Sequence, residues 1–113
     1  MTGKEYQSLA MRTSSIPENE KEKMLYHAVF GLTSEAGEVA GILQKVYQGH
    51  DFYREHFVKE LGDCLWMIAE ACEAVEVSMD DVMKINIDKL KERYPDGFDA
   101  DRSLHRKEGD IWL

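Results

Sequence analysis

Between residues 19 and 47, Leu25, Val29, Leu32, Ala36, Val39, Leu43 and Val46 recur at alternating steps of four and three. That spacing lays one apolar stripe along a helix packed in a bundle. A second stretch, at about 52–77, carries Phe57, Leu61, Leu65, Ile68, Cys72 and Val75 on one face. Its other sides hold Trp66, Met67, Ala69 and Ala74, so this helix is expected to touch more than one neighbour. Only two prolines occur, which leaves room for helices of this length.

Shorter helices are expected at about 3–13, with Tyr6, Leu9 and Ala10 as the buried side, and at about 79–94. Ser14, Ser15 and Pro17 break the first, and Gly49 stops the second. Asp51 is a candidate N-cap for the third, and Ser78 followed by Asp81 resembles a capping box for the fourth. Tyr94-Pro95-Asp96-Gly97 ends the fourth, and the remainder, about 95–113, reads as an extended tail. Strand alternation is missing at any useful length. The expected fold is all-α, a four-helix-bundle-like single domain over residues 1–113 with an antiparallel central pair.

Composition restricts the partners. Twenty-two acidic against 14 basic residues give a net charge of −8, which argues against a wide basic surface for nucleic acid. No stretch approaches the roughly 18 apolar residues of a membrane span, and Met1-Thr2-Gly3-Lys4-Glu5 has no apolar leader core. Cys64 and Cys72 fall eight residues apart in one helix, roughly 12 Å, too far for a disulfide. A reducing, cytoplasmic setting is therefore expected.

The chemistry-bearing pattern is Glu35-x-x-Glu38 on the second helix and Glu60-x-x-Asp63 on the third. Residues three apart are neighbours on a helix surface, so each pair presents two carboxylates together. At about 1.5 Å per residue the pairs lie roughly 17 and 14 Å from the connecting turn, level with each other in an antiparallel hairpin. Small or apolar residues surround them: Ala28, Gly31 and Ile42 in line with Glu35, Ser34 and Gly41 flanking Glu38, and Phe57, Cys64 and Met67 around Glu60. Gly31, Gly37 and Gly41 each weaken the helix by about 0.5–1 kcal/mol relative to alanine, which points to close approach by a ligand or a partner helix. The competing account is a solvated acidic face with tight helix packing.

Two carboxylates about 5 Å apart repel by roughly 3 kcal/mol at an effective dielectric of 20, so four would take up protons or recruit a cation. An all-oxygen set favours magnesium, ahead of manganese and calcium. Zinc is disfavoured because no histidine pair falls at ligand spacing, and the Glu-x-x-His of di-iron bundles is missing.

These residues resemble the MazG-like nucleoside triphosphate pyrophosphohydrolases, an all-α superfamily with an E-x-x-E … E-x-x-D pattern. The match runs through Leu32-Thr33-Ser34-Glu35-Ala36-Gly37-Glu38-Val39 and Glu60-Leu61-Gly62-Asp63-Cys64-Leu65-Trp66, with 21 residues between Glu38 and Glu60. Asn86-x-x-Lys89, Arg93-Tyr94-Pro95-Asp96-Gly97-Phe98, Tyr6-Gln7 and Arg12-Thr13 extend it over nearly the whole chain. The resemblance implies cleavage between the α- and β-phosphates of a nucleoside triphosphate, giving a monophosphate and pyrophosphate. It implies metal binding by Glu35, Glu38 and Asp63, with Glu60 as a fourth ligand or as the base that activates water.

Substrate contacts are expected from Asn86, Lys89 and Arg93 on the fourth helix and from Lys45 on the second, with Ser103 and Arg106 as candidates to close over the phosphates. Trp66, Tyr6 and Gln7 are candidates to stack on a base, against a plain packing role. The resemblance also implies a homodimer or homotetramer, as does a short chain whose third helix is apolar on several sides. The alternatives are a phosphoribosyl-ATP pyrophosphohydrolase and a non-enzymatic helical dimerisation module. A calcium-binding structural bundle lies between these, without an EF-hand loop to support it.

Overall fold

The computed structural model describes residues 1–105. These form α1 (Gly3–Met11), α2 (Lys21–Tyr47), α3 (Arg54–Ala74), α4 (Met79–Arg93) and α5 (Ala100–Leu104). No strand occurs among the described residues, and the all-α class is the one observed. The chain divides into two compact units, one from Met1 to Met79 and one from Asp80 onward.

In the first unit α2 and α3 lie side by side, and their cross-contacts fix the direction. His27 meets Glu70, a Cβ on Gly31 would meet Met67, and Glu35 meets Glu60 and Asp63. The partner number falls as the α2 number rises, so the pair is antiparallel. The turn between them closes with a left-handed Gly49 at φ 102°. The His50 amide donates to the Lys45 carbonyl at 3.0 Å and the Gly49 amide to Val46 at 2.9 Å, the pairing that caps a helix through a left-handed residue. At the start of α3 the N-cap is Tyr53, with no side-chain cap bond, in place of the expected Asp51.

The end of α3 repeats this closure with a residue poorly suited to it. Glu76 takes φ 60° while the Val77 amide donates to Cys72 and the Glu76 amide to Glu73. A side chain in that conformation costs roughly 1–2 kcal/mol that glycine avoids.

The line of contact on α2 is rotated from the expected stripe. Met24 and Ala28 are fully buried, whereas Val29 and Leu43 are about half exposed. On α3, Ala69, Glu70, Cys72 and Ala74 are buried, while Leu61 and Leu65 stay exposed. Small residues let the two backbones approach, as Gly31 does against Met67, and the larger aliphatic side chains are left on the flanks. Gly37 and Gly41 face open space within the protomer.

Against α3 lies α1, capped by the Thr2 hydroxyl, which accepts from the Glu5 amide at 3.0 Å. Ala10 is buried with Ala69, Cys72 and Met79, and Tyr6 and Trp66 pack against them. Leu9, expected inside, is exposed, and Gln7 takes the buried place. The Gln7 amide donates to Glu73 at 2.9 Å and to the Val77 carbonyl at 3.0 Å, and its oxygen accepts from the Met79 amide at 2.8 Å. A buried side-chain amide is tolerated when its hydrogen bonds are made, and these three tie α1 to the turn leading into α4.

In the second unit, α4 is followed by a turn with a left-handed Gly97 and then by α5. The segment expected to be an extended tail thus contains a helical turn. Asp99 caps it, its carboxylate accepting from the amides of Asp101 and Arg102.

Candidate metal and substrate site

Three residues, just under one helical turn, separate Glu35 from Glu38 on α2 and Glu60 from Asp63 on α3. The antiparallel register brings Glu35, Glu60 and Asp63 together, with one carboxylate oxygen from each within 4.8 Å of the others. Glu35 and Glu60 are half-buried and Asp63 is exposed, so the cluster opens to solvent on one side. Glu38 stands outside that set. It is more exposed and lines a groove running toward the hairpin turn.

The charges are crowded enough to be felt. Burial pushes the Glu35 carboxyl above its ordinary value, and the charges of Asp63, Glu60 and Glu38 push it further. Tyr6 reaches the same neighbourhood from α1, its phenol raised by burial and by the charge of Asp63. The His56 ring stands beside the set, its Nε2 4.0 Å from Glu60. Three convergent oxygen donors, open on one side, suit a hard divalent cation.

The groove beside the acids has a volume of about 360 Å³. Glu38, Gly41, Ile42 and Lys45 form its α2 wall, and His50, Asp51, Tyr53 and His56 close it from the turn and the start of α3. Lys45, expected to serve the substrate, therefore shares a cavity with Glu38. Neither His56 nor the turn residues were expected in the site from the sequence, although His56 precedes Glu60 by four residues, a spacing that places the two side chains together. A larger cleft of about 690 Å³ opens at the other end of the helix pair. Its acids Glu18, Glu73 and Glu76 are interspersed with Lys4, Arg12 and Lys21, and Glu18 is already paired with Lys21, unlike the cluster of Glu35, Glu60 and Asp63.

Two base-stacking candidates are committed to packing. The Trp66 indole donates to the Ala10 carbonyl at 3.0 Å and to the Thr13 hydroxyl at 2.9 Å, fastening the end of α1 to α3. Gln7 is held by the three bonds described above. Glu70, fully buried one turn beyond Trp66, is met by His27 Nδ1 at 2.5 Å and by the Ser14 hydroxyl at 3.4 Å. Asn86, Lys89 and Arg93 lie on α4, whose residues from Asp80 onward form the second unit, and Ser103 lies on α5. Arg106 falls outside the described residues. No helix among the described residues is long and apolar enough to cross a membrane.

Residues 26–98, well over half the chain, match the family model of the MazG nucleotide pyrophosphohydrolase domain. Among curated proteins the chain is similar to the Gene 37 protein of Mycobacterium phage L5, at 30% identity over 91 residues, covering 76% of this chain and 75% of that protein. No solved structure matches the chain.

Proposed function

Because the chain belongs to the MazG nucleotide pyrophosphohydrolase domain family, we propose that it cleaves (deoxy)nucleoside triphosphates between the α- and β-phosphates, releasing the monophosphate and pyrophosphate. The observation that carries this reading is the meeting of Glu35, Glu60 and Asp63 across an antiparallel helix pair. Two of these carboxylates are half-buried, a placement that a purely solvated acidic face does not call for.

Glu35, Glu60 and Asp63 are the residues that would hold the metal, with Glu38 able to join them from the groove wall. Bound there, magnesium, or manganese in its place, would neutralise the phosphate oxygens and orient the attacking water. Without it the carboxylates would repel a triphosphate, so substrate binding and metal binding are expected to be linked. Glu60 has a second possible role, accepting the proton of the attacking water, and its neighbour His56 is placed to steady its orientation. Lys45 offers a substrate contact from the far end of the groove. On the resemblance alone, Asn86, Lys89 and Arg93 are the phosphate contacts.

We also propose that the chain works as a homodimer or homotetramer. Val29, Phe30, Leu43, Leu61 and Leu65 are all exposed in the protomer, an apolar surface suited to a second copy. Phosphorus NMR of the products tests the reaction. Monophosphate and pyrophosphate are expected, whereas diphosphate and orthophosphate would place cleavage at the wrong bond. Sedimentation equilibrium tests the assembly, and a monomer at micromolar concentration would contradict it.

A further inference from the structure

The groove beside the acids has more room than the reacting phosphates need. Its α2 wall runs from Glu38 to Lys45, seven residues or roughly 10 Å of helix. With the α-phosphate at the carboxylates, a β,γ-diphosphate would reach only part of that length, whereas a ribose and base would fill it. The lining also suits a nucleoside. Gly41 presents no side chain, and a Cβ there would meet nothing within 4 Å, which leaves a flat stretch of wall. Tyr53, His50 and His56 are ring-bearing residues along the opposite side. Aromatic faces stack on any base.

Selectivity comes from the polar groups at the far end, where Asp51 and Lys45 stand beside His50. A carboxylate only accepts hydrogen bonds, so Asp51 favours a base edge that offers an exocyclic amino group. Thymine and uracil flank their single ring N–H with a carbonyl oxygen on each side, so a carboxylate approaching that edge meets lone pairs. Lys45 supplies the complementary donor for a ring carbonyl or ring nitrogen.

We infer that this groove holds the nucleoside half of the substrate and that Asp51 selects amino-bearing bases (cytosine, adenine, guanine) over thymine and uracil. The inference rests on the proposed triphosphate hydrolysis and adds its base preference. Asp51 is exposed and lies outside the helices, so Asp51→Asn leaves the fold intact while adding a donor to the selecting group.

The test is kcat/KM for dCTP, dATP, dGTP, dTTP and dUTP with magnesium, for the wild type and Asp51→Asn, with circular dichroism as the control for folding. The wild type should favour the amino-bearing set by at least about tenfold, and Asp51→Asn should shrink that ratio to within about threefold of unity. Gly41→Leu, which fills the wall, should raise KM about tenfold or more for every substrate while the magnesium concentration for half-maximal rate stays the same. Equal use of all five bases by the wild type, or a preference that survives Asp51→Asn, overturns the base-reading role and leaves the hydrolysis standing. Failure to hydrolyse any of the five overturns the hydrolysis and this inference together.

Discussion

Removing His27 should expose how the protein keeps a buried carboxylate. Glu70 has no solvent exposure, and its oxygens are met by His27 Nδ1 at 2.5 Å and the Ser14 hydroxyl at 3.4 Å. Removing the partner of a fully buried carboxylate typically costs up to about 3–5 kcal/mol, mostly for the group left behind. The His27 side chain is itself 47% exposed, so its removal admits water to the carboxylate and lowers the cost. His27→Ala should therefore lose about 2–3 kcal/mol, roughly 8–12 °C in Tm for a domain of this size.

Glu70→Gln keeps the shape and a hydrogen-bond acceptor for His27 but removes the charge, and should lose only about 1 kcal/mol. The double variant strands no charge, so it should be more stable than His27→Ala alone. Urea denaturation of the four proteins gives the coupling directly. A His27→Ala cost below about 0.5 kcal/mol, or a double variant showing the sum of the two single losses, would refute the buried-pair argument.

Other perturbations read separate parts of the fold. Glu76→Gly relieves a side chain at φ 60° and, after the entropic cost of glycine, should stabilise by about 0.5–1 kcal/mol in thermal melts. Gly37→Ala, facing open space, should also add about 0.5–1 kcal/mol. Gly31→Ala should instead gain nothing, because its Cβ would displace the Met67 side chain and offset the helix preference of alanine. Equal melts for the two glycine variants would show that helix packing does not distinguish them.

Glu35 gives a pH signature opposite to that of a salt-bridged carboxylate. Its folded pKa is raised by burial and by Asp63, Glu60 and Glu38. The charged form therefore penalises the fold above the folded value, and the penalty vanishes below the unfolded one. Glu35→Gln should raise the Tm of the metal-free protein in EDTA at pH 7 and change it little near pH 4. A gain that is the same at both pH values would contradict this.

Much of the site could be read in the sequence because it depends on helix periodicity and on one turn. The distances of the two acidic pairs from Gly49 place Glu35 beside Glu60 and Asp63 once the helices fold back. What stayed hidden depends on how helices rotate against each other. The stripe from Leu25 to Val46 is the more hydrophobic line, yet the contact follows Met24, Ala28 and Gly31, because small residues allow closer approach. Gln7 and Glu70 look like surface residues by type, and only their partners across the fold account for their burial. The groove escaped notice because its far end is built by the connecting turn, where Asp51 and Tyr53 have no periodicity to mark them. The helix at Ala100–Leu104 is too short to carry a stripe and is signalled only by Asp99 at its cap.

The most direct test of the central claim is pyrophosphate release from a panel of nucleoside triphosphates, with and without magnesium, by the wild type and by Asp63→Asn. Asp63 is exposed, so the substitution removes one negative charge from the cluster without disturbing the core. The account predicts magnesium-dependent release by the wild type, reduced at least about a hundredfold in Asp63→Asn, with the variant melting no lower than the wild type in EDTA. Release that persists without a divalent cation, or that is equal in the two proteins, would contradict it.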